Sequence, residues 1–301
     1  GMNAMQLMCL TSATSGAGFE DRGVIGFKSE PKGFMAGSIP PATAPALLEI
    51  TALMPANAVA VYVGYFDGSK IQTALTDYLD GLKNLPMMAM FSPMIDVKIK
   101  EIEEKIGVKL NDFVASIKGE LGYWVELASP PTSAWPNLGA MVTCVDANKA
   151  QTVASSFAKI INIVTGKLAV LEVPSGEPGR VFYQINLAVL DAPQNFQYTP
   201  CWSVVGERIF FASSVPALKK QLANLKAKAP GLRTQPDFVK AVELLGPEER
   251  KGQILYADVK SLLTVGATVG LPLLQTKLEK VDLKEALVAL SNPQELFKNL
   301  P

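Results

Sequence analysis

The chain has 301 residues, 49% of them hydrophobic, with 28 basic residues balanced against 28 acidic ones and no histidine. That is enough apolar material for a large core, in one large domain or two ordinary ones. Neutral charge argues against nucleic acid or an anionic membrane as partner. The lack of histidine excludes Ser-His-Asp triads, Cys-His dyads and His-based zinc sites within this chain.

Gly1-Met2 reads as a cloning remnant, so the natural start is expected upstream. Met2 to Leu10 has neither the charged leader nor the long apolar core of a signal peptide. Two strands are expected, Met5 to Thr11 and Val24 to Phe27, around a Gly/Ser loop at Ser15 to Gly18. They are expected to add to a sheet of the main body. The Pro/Ala stretch Ser38 to Pro45 reads as a linker or a surface strap.

Val59 to Phe66 is a strong strand, turned by Asp67-Gly68-Ser69 into a helix with a stripe of Ile71, Leu75, Tyr78, Leu79 and Leu82. Met87, Met88, Met90, Phe91 and Met94 form an apolar cluster. It reads as core or covered loop, or as the lining of an apolar-ligand pocket. Ile95, Ile99, Ile102 and Ile106 share a helix face, and Gly107 stops that helix. Asn111 is expected to cap a short helix through Ile117.

Leu121 to Leu127 and Leu138 to Val145 are strands, separated by a proline-rich loop that carries Trp135. An exposed Trp there would be a protein-binding spot; packing of the loop onto the body is the plainer reading. Asp146 begins the clearest helix, whose expected buried face is Ala150, Val153, Ala154, Phe157, Ile160, Ile161 and Val164. Gly166 closes it. Leu168 to Val173 and Val181 to Leu190 are further strands.

Cys201 to Val205 and Arg208 to Ser213 flank Gly206-Glu207, a pair suited to a type II′ hairpin turn. Neither strand alternates cleanly, which predicts a central hairpin covered on both faces. Ser213 and Ser214 offer helix caps, Pro216 fits a first turn, and Leu218, Leu222 and Leu225 form one stripe. Lys219, Lys220, Lys226 and Lys228 read as a solvated face. A helix from Pro236, a strand Gln253 to Ala257 and a helix from Asp258 to the break at Pro272 follow. Leu283 to Leu290 continues the helical pattern, and Asn292-Pro293 opens a last helix. The longest uncharged apolar run, Ser261 to Thr276, is too short for a membrane span and is broken by Gly266, Gly270 and Pro272.

Strand–Asp–helix units recur at Val59 and Ile254. The expected fold is α+β, with two related halves and mainly antiparallel sheets flanked by helices. The divisions are 1–45 (strands and linker), 46–190 and 191–301.

Chemistry is sparse. Asp67, Asp146 and Asp258 each follow a strand and precede a helix. Converged, they could hold Mg²⁺ or Ca²⁺ and serve a hydrolase; taken singly, each is a helix cap. Ser156 to Lys159 and Ser29 to Lys32 match S-x-x-K without the companion elements. Ser15 to Gly18 and Thr165 to Lys167 complete no phosphate loop. Cys9, Cys144 and Cys201 fit three buried thiols, or one disulfide and a free thiol. No cofactor is implied.

The order Gly107 to Phe113, Lys118 to Gly122, Val142 to Asp146, Tyr198 to Leu225, Pro236-Asp237-Phe238 and Leu255 to Asp258 resembles bacterial proteins grouped as domain-of-unknown-function family 3352. The resemblance runs from about Pro55 to about Leu263. It implies an extracytoplasmic or periplasmic envelope protein, often with an N-terminal anchor, with no enzyme activity and no site residues. The expected function is a non-enzymatic binding or structural module of the bacterial envelope, with a protein or apolar ligand as partner. The alternatives are a metal-dependent hydrolase using the strand-end aspartates and an apolar-ligand carrier.

Overall fold

A computed structural model describes residues 5–15, 18–27, 34–41, 43, 49–85, 92–127, 136–190, 198–245 and 253–265. The chain divides into two compact units, one being Lys32–Glu126 with Pro136–Tyr256 and the other the remainder. In the smaller unit, β1 (Met5–Ser15) and β2 (Gly18–Phe27) pair antiparallel as a two-stranded sheet of their own. This corrects the expectation that they extend a larger sheet. Their near-complete mutual register, from Met5↔Phe27 to Ser15↔Gly18, makes one long hairpin.

The larger unit is built on one eight-stranded sheet. Its strands are β3 (Ala58–Asp67), β4 (Ile117–Glu126), β5 (Asn137–Cys144), β6 (Val170–Pro174), β7 (Val181–Ile185), β8 (Cys201–Val205), β9 (Arg208–Ala212) and β10 (Ile254–Ala257). The order across the sheet is β10-β3-β4-β5-β9-β8-β7-β6. The pairings from β3 through to β6 are all antiparallel. The protein is therefore α+β, with its sheet flanked by helices. The expected boundary at residue 190 falls between β7 and β8, which are hydrogen-bonded neighbours in this sheet.

The β8–β9 hairpin is interior to the sheet. Val205 pairs with Arg208, so Gly206-Glu207 is a two-residue loop. Gly206 has φ +59°, a value that glycine adopts without steric cost. Period-two alternation sends Phe210 and Ala212 to one face, with Cys201, and Ile209 to the other, with Trp202. Both faces carry core, which is why these strands read as apolar on both sides.

The first face is covered by α2 (Ile50–Leu53), α7 (Val215–Lys226), a 3₁₀ turn at Leu232–Thr234 and α8 (Pro236–Glu243). Met54, Leu218, Leu222, Leu232 and Phe238 pack there on Trp124, Met141, Phe182 and Phe210. Ser214 Oγ accepts from Ala217 N–H at 3.3 Å and caps α7. Ser213 does not cap the helix. Its Oγ accepts from Leu138 N–H, tying the end of β9 to β5. Lys220 is exposed, as expected, and pairs with the buried Glu126 at 2.6 Å.

The second face is covered mainly by α6 (Ala147–Thr165), with Phe113 packed beside it. Asp146 Oδ1 accepts from Lys149 N–H at 2.8 Å, and Gly166 closes the helix at φ +63°. Ala150, Val153 and Ala154 are buried as expected. Phe157 is 36% exposed and Val164 80% exposed, so the buried stripe does not run the length of the helix. Ser156 and Ala158 are the buried residues beyond Ala154 instead.

Among the described residues, the remaining helices are α1 (Phe34–Gly37), α3 (Gly68–Lys83), α4 (Ser92–Ile106), α5 (Leu110–Ala115) and α9 (Val259–Val265). The cap expected from Asn111 is absent, because α5 begins one residue before it, at Leu110. Glu103 Oε1 accepts from Leu110 N–H at 2.9 Å and serves the helix start from α4. Asn111 donates to Thr76 Oγ1 on α3.

The sheet edge at β6 is blunted. Val170 N–H is taken by Asn162 Oδ1 at 2.9 Å, and Pro174 has no N–H to offer.

Trp202 is 1% exposed, lies in the α6-side core and donates to the Ala154 carbonyl at 3.1 Å. Trp202→Ala is expected to cost about 3–5 kcal/mol of unfolding free energy. The check is a lower urea midpoint at an unchanged slope; a loss below about 1 kcal/mol would show that α6 holds without it.

Candidate functional site

The three strand-end aspartates are each committed locally. Asp67 is buried and accepts from Ser69 N–H at 3.1 Å and Ser69 Oγ at 2.5 Å, with Lys118 Nζ 3.3 Å away. Burial pushes its pKa up, but the Ser69 and Lys118 hydrogen bonds and the Lys118 charge outweigh that and leave it lowered. Asp146 caps α6 through Lys149 N–H. Asp258 accepts from Ser261 N–H at 3.0 Å and Ser261 Oγ at 2.5 Å, at the start of α9. Its pKa is lowered too, burial being outweighed by Ser261 and by the Lys260 backbone and charge. Among the described residues, no three His, Cys, Asp or Glu side chains gather to hold a metal ion.

The other motifs resolve into structure. Ser156 is buried within α6, and Lys159 Nζ donates to the Ile106 carbonyl at 3.0 Å, so the pair is not a serine–lysine couple. Thr165 to Lys167 is a helix terminus, with Lys167 Nζ on the Val189 carbonyl. Cys144 and Cys201 are free and buried, and burial is the main cause that pushes their thiols up to about 11 and about 12. At neutral pH both are protonated and poor nucleophiles. The side chain of Cys9, Ser29 to Lys32, Met87 to Phe91 and Trp135 lie outside the described residues; Met94, at the end of the methionine cluster, is exposed. No helix among the described residues is long and apolar enough to cross a membrane.

What the structure adds is a groove on the second face, beside α6. It has a volume of about 450 Å³, within the range of small-molecule sites. Tyr123 and Val125 on β4 and Leu138 and Ala140 on β5 form one side. Phe157 and Ile161 on α6 form the other, and Trp202 and Phe211 line it between them. Ile185, Tyr198 and Pro200 close one end. Tyr198 Oη donates to the Pro136 carbonyl at 3.0 Å, so its hydroxyl is engaged. Among the described residues, no charged side chain lines the groove.

The groove follows from the width of one helix. Strands lie about 4.8 Å apart, and a helix with its side chains is about 10–12 Å across. One helix therefore cannot cover a broad sheet along the whole length of its strands. α6 lies chiefly on β8, with Trp202, and covers the Ile117 and Cys144 ends of β4 and β5, leaving Tyr123, Leu138 and Ala140 half open. Tyr123 is 53% exposed there and stacks on Tyr62 of β3, with centroids 5.0 Å apart. Of these residues, the sequence put Phe157 and Ile161 on the buried face of a helix and Tyr123, Val125, Leu138 and Ala140 simply in strands. The available signal was apolar residues on both faces of β4 and β5.

Because the Asp67 pKa is lowered by folding, its stabilisation is complete above its ordinary value of 3.8 and is lost as pH falls through the lower folded value. Asp67→Ala is expected to cost about 1 kcal/mol near neutral pH. Denaturation across the acid range should show that deficit narrowing, and a deficit independent of pH would deny the carboxylate this role. No family model matches the chain, and no significant match occurs among the curated proteins or the solved structures.

Proposed function

We propose that the protein is a non-enzymatic binding module of the bacterial envelope and that the groove beside α6 receives an aliphatic chain. The observation that carries this reading is the lining, which among the described residues is predominantly aromatic and aliphatic with no charged side chain. Such a wall gains from removing apolar surface from water, at about 25 cal/mol per Å². A sugar or a peptide backbone would need polar partners that this lining does not provide. Acid–base catalysis is disfavoured for the same reason. The titratable lining groups are tyrosines and Cys201, and burial raises the pKa of both Tyr198 and Cys201. Placement in the envelope is supported by the resemblance along Pro55 to Leu263. The metal-dependent hydrolase is the weaker reading, since each strand-end carboxylate accepts hydrogen bonds at its own helix start.

The test is direct titration of the protein with a long polyene fatty acid, read by energy transfer from tryptophan. Trp202 lines the groove, so quenching of its emission is expected on binding. Phe157→Glu and Leu138→Glu change partly exposed rim residues. Each should weaken binding by at least about tenfold while the far-ultraviolet circular dichroism is kept. Absence of binding, or variants that bind like the parent, would overturn the aliphatic-chain reading.

A further inference from the structure

A second cavity, of about 350 Å³, lies on the first face of the sheet between the ends of α2 and α7. Leu53, Met54, Pro55 and Leu225 give it an apolar wall. Gln221, Asn224 and Lys228 give it polar groups, and Lys228 is the one charged residue of its lining among the described residues.

Its walls are fastened together. Leu232 N–H donates to the Met54 carbonyl at 2.9 Å, Pro55 and Gly231 form a β-bridge, and Arg233 Nε donates to Thr51 Oγ1 at 2.8 Å. The approach is so close that a Cβ on Gly231 would lie 2.0 Å from the Ala52 carbonyl oxygen. The cavity is therefore set before any ligand arrives.

Two features in it run against stability. Gln221 is only 7% exposed, and among the described residues its Nε2 has no hydrogen-bond partner. A buried donor left in this state is costly. Lys228 has φ +50°, the only positive φ of a non-glycine residue among the described residues. It occupies the left-handed position that ends α7, where Lys228 N–H reaches the Leu225 carbonyl and Ala229 N–H reaches the Asn224 carbonyl. Glycine is the usual residue there. With Ala227 N–H on the Ala223 carbonyl, the last carbonyls of α7 already have donors, which lessens their repulsion of a negative group.

We propose that this cavity binds a carboxylate carried on a short apolar body. The carboxylate accepts from the Lys228 ammonium and from the Gln221 amide, whose terminal torsion is soft enough to turn Nε2 towards it. The apolar body lies on Leu53, Met54 and Leu225. A free aliphatic acid and the C-terminus of a peptide ending in an apolar residue share this chemistry. The site lies on the face opposite the aliphatic groove and does not depend on it.

The experiment is titration of the intact protein with hexanoate, with hexanol and hexylamine as controls and with acetyl-Val-Leu carrying a free carboxylate. Binding is read from the Gln221 side-chain amide resonance, assigned by its disappearance in Gln221→Leu. Hexanoate or the peptide should shift that resonance, and the controls should not; the stronger of the two identifies the source. Lys228→Gly is the decisive variant. It should raise the unfolding midpoint by relieving the left-handed lysine, yet weaken carboxylate binding by about tenfold. A residue with only a structural role cannot give those opposed effects. Phe157→Glu should leave the response of the Gln221 resonance to hexanoate unchanged, which separates this site from the groove. An unmoved Gln221 resonance, an equal response to hexanol, or full affinity in Lys228→Gly would overturn the proposal.

Discussion

The arrangement of the larger unit depends on how Trp202 is held. Its indole stacks on Tyr183 at 5.5 Å and 15°, meets Phe157 edge-on at 5.2 Å and donates to the Ala154 carbonyl. A buried indole must find an acceptor, and here the acceptor is a helix carbonyl that also belongs to the α6 ladder. That bond fixes both the position and the rotation of α6 on the second face. Seated over β8, α6 covers the Ile117 and Cys144 ends of β4 and β5 and leaves Tyr123, Leu138 and Ala140 open at their other ends. The groove is the geometric remainder of satisfying one tryptophan, and Phe157 belongs to both, touching Trp202 while facing the open side.

Much of this was legible in the sequence where one signal sufficed. Gly206-Glu207 between two apolar runs marked the hairpin, and Ser214 with Pro216 marked the start of α7. Both rest on local backbone chemistry, which a few residues encode. The stripe of α6 was legible in Ala150, Val153, Ala154 and Ile161, which pack on the core. Phe157 and Val164 have the right spacing, but periodicity describes a face and not what lies against it. Val164 is exposed because the helix outruns its share of the sheet, a tertiary fact without a local signature. The cap at Leu110 shows the same limit, since Glu103 is contributed by another helix.

The aspartates show how the same residue type serves two chemistries. A carboxylate after a strand and before a helix lies close to free N–H groups, and it gains most by accepting from them. Asp67 and Asp258 each bind a serine two or three residues on, through both its N–H and its hydroxyl. Each is thereby stabilised as the ion at a helix start, so its lowered pKa is a mark of capping. A lowered carboxylate pKa alone does not distinguish a cap from a metal ligand; convergence of several carboxylates does.

The two faces of the sheet solve different problems. On the first face, short helices meet end to side, and short helices bring many backbone ends and polar side chains into the interior. Glu120 accepts from Glu49 and Ile50 N–H at the start of α2, Lys220 reaches Glu126, and Arg233 reaches Thr51. Polar pairing there is the consequence of fragmenting the cover into pieces. On the second face the long α6, joined by Phe113 of α5, contributes few ends, and what it leaves uncovered beside Phe157 is side-chain carbon. The chemistry available to a ligand on each face therefore follows from the length of the helices that cover it. Where the cover is broken, as between α2 and α7, a cavity inherits amide and ammonium groups. Where the cover is merely too narrow, as beside α6, a cavity inherits aromatic and aliphatic walls.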